Sequence, residues 1–140
     1  MTNIRNVTAR LVELSGRNIL ANAKVTEGQV RNFESQVGIE LPDDYKYFLK
    51  EVGSVIYSTL EPAIISDEKV YYSLKNIMNE GHQVGVPELL IPFCCDNGDY
   101  YCFTKDGKVV FWSHNGLTSE SWPSFASWIE QVWIGESLAD

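Results

Sequence analysis

The sequence predicts an α+β fold: an antiparallel β-sheet in a meander, packed against several α-helices and closed into a single domain. Three observations carry that expectation. Apolar residues recur at helical spacing up to Val52, the period changes after Gly53, and short apolar runs between Leu89 and Trp112 are punctuated by Asn-Gly and Asp-Gly. Helices and strands grouped along a chain, rather than alternating, describe helices laid on an antiparallel sheet. The chain has 140 residues, which fits one domain, and a domain of that length buries roughly two thirds of its unfolded surface. Its 44% hydrophobic content, with four Trp, six Phe and seven Tyr, supplies an aromatic core.

Each element has a local cause. Ile4, Val7, Leu11 and Leu14 share one face of an N-terminal helix expected over residues 3–21. Thr26 opens a second helix, because its hydroxyl caps free backbone N–H groups and Gln29 stands three residues on, as in a capping box. Val30, Phe33 and Val37 form its apolar stripe, and Gly38 is a natural stop. In "IELPDDYKYFLKEVG", Pro42 has no N–H to leave unpaired in a first helical turn. Asp43 and Asp44 follow where the helix dipole favours negative charge. Tyr45, Phe48, Leu49 and Val52 then line one side before Gly53.

The β-branched stretch "SVIYSTLEPAIIS" reads as one or two strands interrupted at Glu61–Pro62. Helical spacing returns through Leu74, Ile77 and Met78. Three strands follow, Leu89–Cys95, Tyr100–Thr104 and Val109–Trp112, joined by "DNGD" and "KDGK". Asn-Gly and Asp-Gly mark hairpins because both tolerate the positive φ of tight turns. A last helix starts near Ser124 and carries Phe125, Trp128, Ile129, Val132 and Trp133.

Charge narrows the function classes. The formal net charge is −8, but residues 1–31 carry five basic and two acidic side chains, so the rest of the chain stands at −11. A body that acidic repels nucleic acid and suits a basic partner. No apolar run approaches a membrane span, which needs roughly 20 residues. The N-terminus lacks the positive-then-apolar layout of an export signal. Three cysteines, two of them adjacent, make a poor disulfide framework and fit a reducing compartment. The expected location is the cytoplasm.

The stretch "FCCDNGDYYCFT" gathers all three cysteines. A zinc site needs cysteine pairs at two- to four-residue spacing with further ligands elsewhere, whereas Cys94 and Cys95 point to opposite faces of a strand. The hairpin reading therefore prevails, and no metal or cofactor is expected. A Cys102–His114 dyad lacks a third orienting group. Asp43 and Asp44 diverge by about 100° around their helix and do not face one substrate. No phosphate-cradling, metalloprotease or nucleophile-elbow motif occurs, so no catalytic residue is assigned. What remains is surface: Asp67, Glu68, Glu88, Asp96 and Asp99 as a negative face, with Tyr101 and Trp112 among its aromatic anchors.

The succession "TEGQVRNFESQVGIELPDDYKYFLKEVG", "LLIPFCCDNGDYYCFTKDGKVVFWSH" and "SFASWIEQV" resembles the SUKH superfamily (Smi/Knr-like domains), named for a fungal cell-wall regulator and for bacterial immunity proteins. Leu41, Pro42, Asp44, Tyr45, Phe48 and Leu49 match its second-helix pattern. Ile91, Pro92, Gly98, Asp99 and Tyr101 match its strand and hairpin, and Ser124 and Phe125 its last helix. The likeness runs from about Val25 to Ile134. It departs at "EVGSVI", where many members carry an Asn-Gly-Gly-like sequence, and residues 3–21 stand as an addition to its core. The resemblance implies one such domain over residues 1–140. It also implies a non-enzymatic role: an immunity protein whose partner is a basic toxin domain, often a nuclease. The alternatives are a regulatory or scaffolding module, or a small hydrolase or transferase using Cys102 or His114.

Overall fold

The computed structural model describes residues 2–19, 24–66 and 71–135. The chain folds as α1 (Ile4–Leu14), α2 (Glu27–Val37), α3 (Asp43–Tyr47), α4 (Leu74–Gln83), a four-stranded sheet, and α5 (Phe125–Trp128). Helices α3 and α5 both widen into π-helical turns, Phe48–Val52 and Ile129–Ile134. The strands are β1 (Ile91–Asp96), β2 (Asp99–Phe103), β3 (Val109–Ser113) and β4 (Gly116–Trp122), all antiparallel in the order β1-β2-β3-β4. The meander on packed helices is the expected α+β architecture.

Most helix ends fall where local chemistry places them. Thr26 and Gln29 form the reciprocal capping box, and Gly38 closes α2 in the left-handed conformation at φ 78. Ser73 caps α4 and Ser124 caps α5 through their hydroxyls. The first helix is shorter than the expected residues 3–21. It stops at Leu14, because Gly16 and Arg17 take positive φ (69 and 62) and the Arg17 N–H turns back to the Val12 carbonyl. Residues 20 and 21 lie outside the described residues.

The sheet is covered on both faces. Phe93, Cys94, Tyr101 and Phe103 face α3 and α5, with Phe93 stacked on Phe103 at 4.1 Å and edge-on to Phe125 and Trp128. A bulge between Pro92 and Cys94 makes this possible. It breaks the alternation so that Phe93 and Cys94, consecutive in sequence, are both fully buried. Tyr45 joins the cluster from α3, and α1 lays Val7 and Leu11 over α5 and the two π-turns. On the opposite face α4 packs against β1 so closely that a Cβ on Gly81 would come within 2.7 Å of the Pro92 ring. Among the described residues, the indole nitrogen of Trp128 is the buried side-chain donor without a hydrogen-bond partner, surrounded by aromatic rings.

The segment 54–66 departs from the strand expectation. Val55 bridges Ile19 and Ile64 bridges Ser73 as isolated pairs, with no ladder between them. Its backbone groups go to scattered partners: Ile56 N–H to the Asn18 carbonyl, Ala63 N–H to Phe93 and Ile64 N–H to Tyr72. Pro62 has no N–H to give, and Ser58 turns the chain at φ 57. The segment is a strap fastened across the molecule rather than a strand. The sheet also holds one strand more than expected, β4.

Candidate protein-binding surface

The hairpin from β1 to β2 places Asp96 and Asp99 at its tip as a cross-strand pair. Asn97 and Gly98 between them both take positive φ (52 and 86), the type I′ arrangement that suits strand twist. Asp99 is committed locally: its Oδ1 accepts from the His114 backbone N–H at 3.1 Å and lies 3.0 Å from His114 Nδ1. This ties the β1–β2 tip to the β3–β4 turn. Glu88 sits before the other end of β1, its side chain 86% exposed and 3.7 Å from His82 Nδ1. The five residue steps of β1 from Ile91 to Asp96, about 17 Å of strand, lie between the Glu88 turn and the hairpin tip. Asp67 and Glu68 lie outside the described residues.

The two aromatic anchors are elsewhere. Tyr101 and Trp112 are each only 6% exposed, so neither presents a ring to a partner. Alternation along a strand puts every second side chain inward, but here α4 covers one face and α3 with α5 the other. Tyr101 lies against Phe111, Trp122 and Trp128, and Trp112 against Tyr100 and Gly85. Tyr100 is buried too, and burial, with Cys95 beside it, pushes its hydroxyl up to about 12.

Among the described residues, Cys102 and His114 each have another hydrogen-bond partner and are not paired with one another. Cys94 and Cys102 are buried free thiols; burial raises both pKa values, that of Cys102 to about 12. A reactive cysteine needs the opposite shift. His114 lies exposed beside Asp99, while the Cys102 thiol faces the Tyr100 carbonyl. His82 Nε2 is 2.9 Å from the Leu90 carbonyl, a structural contact. Among the described residues no cluster of three His, Cys, Asp or Glu side chains is placed to hold a metal. No helix among them is long and apolar enough to cross a membrane.

One concave feature went unsuspected in the sequence. The strap and the Tyr71–Tyr72 pair enclose a cleft of about 250 Å³, lined by Val55, Ile56, Tyr57, Glu61, Tyr71 and Tyr72 over a floor of Phe48, Leu60 and Trp133. Trp133 Nε1 donates to the Tyr57 carbonyl at 2.9 Å and holds the strap over that floor. At the rim Tyr71 donates its hydroxyl to Glu61 Oε2 at 2.5 Å, a bond that raises the Tyr71 pKa above its ordinary value. Tyr71 and Ile56 are 66% and 54% exposed. Three tyrosines and a carboxylate around a hollow make a surface suited to recognition.

The molecule is a sheet covered on both faces by helices, with carboxylates at its rim and an aromatic hollow beside the strap. Comparison with known proteins gives it a family. Residues 4–134 match the SUKH family model described as SMI1-KNR4 cell-wall, and the match begins at the first residue of α1. A crystal structure of a protein from Pseudomonas syringae pv. tomato is 33% identical, with a TM-score of 0.79, over 91% of this chain and 98% of that one. No curated protein matches. The chain belongs to the SUKH superfamily, as an SMI1-KNR4-like domain of the protein-interaction or immunity type.

Proposed function

We propose that this domain is a non-enzymatic immunity protein that binds and neutralises a cognate toxin domain in the cytoplasm, with a nuclease the best-fitting class of toxin. The observation that carries the reading is the family match over residues 4–134. The charge supports it: residues 32–140 stand at −11, and nuclease clefts are basic to hold their substrate. Complementary charge speeds encounter and rejects wrong partners. The same charge argues against nucleic acid as the ligand. With Tyr101 and Trp112 in the core, the contacts fall to rim carboxylates such as Glu88 and Asp96 and to exposed groups of the strap. Inhibition requires no catalytic residue, cofactor or metal, only occlusion of the toxin's working surface.

The test is rescue. Any toxin-like C-terminal domain of a large secreted protein found encoded beside this chain is expressed in a heterologous host, with and without it. Restored growth together with a stable complex on size exclusion is the expected result. Asp96→Lys and Glu88→Lys together should then slow association roughly tenfold at low ionic strength and flatten its salt dependence. Failure to rescue any adjacent toxin domain would remove the immunity reading, and rescue with unchanged association rates would remove the acidic surface from it.

A further inference from the structure

The strap cleft shares no lining residue with the hairpin tip and has a chemistry of its own. We infer that it receives an arginine side chain of the protein partner, the guanidinium seated among the tyrosine rings and against Glu61. The inference rests on the interaction role proposed above and adds the residue that the partner must present.

Charge selects the occupant. Among the described residues Glu61 is the one carboxylate lining the cleft, and no basic side chain lines it. A neutral or purely apolar segment docking on Ile56 and Tyr71 would strip water from Glu61 and return nothing, a penalty that disfavours it. A cation repays that loss. Glu61 is already aimed, because Tyr71 holds Oε2 at 2.5 Å.

Shape selects arginine over lysine. Tyr57, Tyr71 and Tyr72 line the hollow, and Tyr71 stands edge-on to Tyr72 at 83° with ring centroids 5.1 Å apart. A planar, weakly hydrated guanidinium stacks on such rings and offers a fork of donors to a carboxylate, whereas an ammonium is compact and strongly hydrated. The aliphatic stem of the arginine would cover Ile56, which otherwise stands 54% exposed.

The experiment uses the full-length, ¹⁵N-labelled chain titrated with two blocked tripeptides, acetyl-Gly-Arg-Gly-amide and its citrulline counterpart, which has the same shape and no charge. The arginine peptide should give saturable shifts at Ile56, Tyr57, Glu61 and Tyr71, and the citrulline peptide should bind about three- to tenfold more weakly. Glu61→Gln should erase that preference. Tyr71→Phe, which frees the carboxylate from its tyrosine but keeps the ring, should preserve it. Both side chains are exposed, so both variants retain the fold. Equal binding of the two peptides, no saturable shift up to the solubility limit, or shifts centred on Asp96 and Asp99 would overturn the inference. The rescue assay separates the two claims. Undiminished protection by Glu61→Gln would sink the cleft and leave immunity standing. Arginine-selective binding without any rescue would do the reverse.

Discussion

The aromatic core beneath the sheet and the strap above the cleft are neighbours built on opposite rules. In the core, Phe93, Phe103, Phe125 and Trp128 come from strands and a helix, and their rings interlock. In the strap, almost every backbone partner is a different distant residue: Asn18, Phe93 and Tyr72 each take or give a single bond. The two regions are joined by Tyr45 Oη donating to the Ala63 carbonyl at 2.6 Å, Ala63 N–H donating to Phe93 at 2.7 Å, and the Trp133–Tyr57 bond. Regular elements spread their stability over many interchangeable contacts. The strap rests on a few named ones, which leaves its outer side chains free for recognition.

Three substitutions sharpen that contrast. Phe125→Ala empties the centre of the ring cluster and should cost about 3–5 kcal/mol, read from denaturant unfolding; a loss under half that would mean the core is looser than its ring contacts indicate. Tyr45→Phe keeps the ring and deletes the hydroxyl that holds Ala63, for about 1–3 kcal/mol. Its particular signature is in amide exchange, which should quicken at Ala63 and Ile64 while β2 and β3 stay protected. Uniform acceleration across the sheet would show that strap and core are one cooperative unit. Glu61→Gln, on the open rim, should move stability by under about 0.5 kcal/mol, and a larger loss would make Glu61 a structural residue instead of a recognition one.

The same contrast explains how much was legible in the sequence. The helices announced themselves because capping residues and period-3.6 stripes are local: Thr26 with Gln29, Pro42 with two aspartates, Ser124 before Phe125. The first hairpin did so through Asn97–Gly98. The fourth strand was missed although Asn115–Gly116 precedes it, because an edge strand of Leu117, Thr118, Ser119 and Glu120 has no buried alternation to read, and Leu117 itself is 60% exposed. The π-turns were invisible for a similar reason, since one extra residue per turn leaves a short apolar stripe almost unchanged. As for the site, alternation could say that half the strand aromatics face inward but not that helices cover both faces, which is why Tyr101 and Trp112 looked available. The cleft depends on Tyr57, Glu61 and Tyr71 meeting through the strap's irregular path, and no local pattern encodes that meeting.

The sheet's two borders are unequal. On β1, Pro92 lacks a donor and the strap occupies the Phe93 carbonyl through Ala63, so that border is blunted. On β4 the border is an open run of polar residues from Thr118 to Ser121. A domain with one pairable border is monovalent: strand-to-strand joining with another copy ends at two, and no third molecule can extend the ribbon.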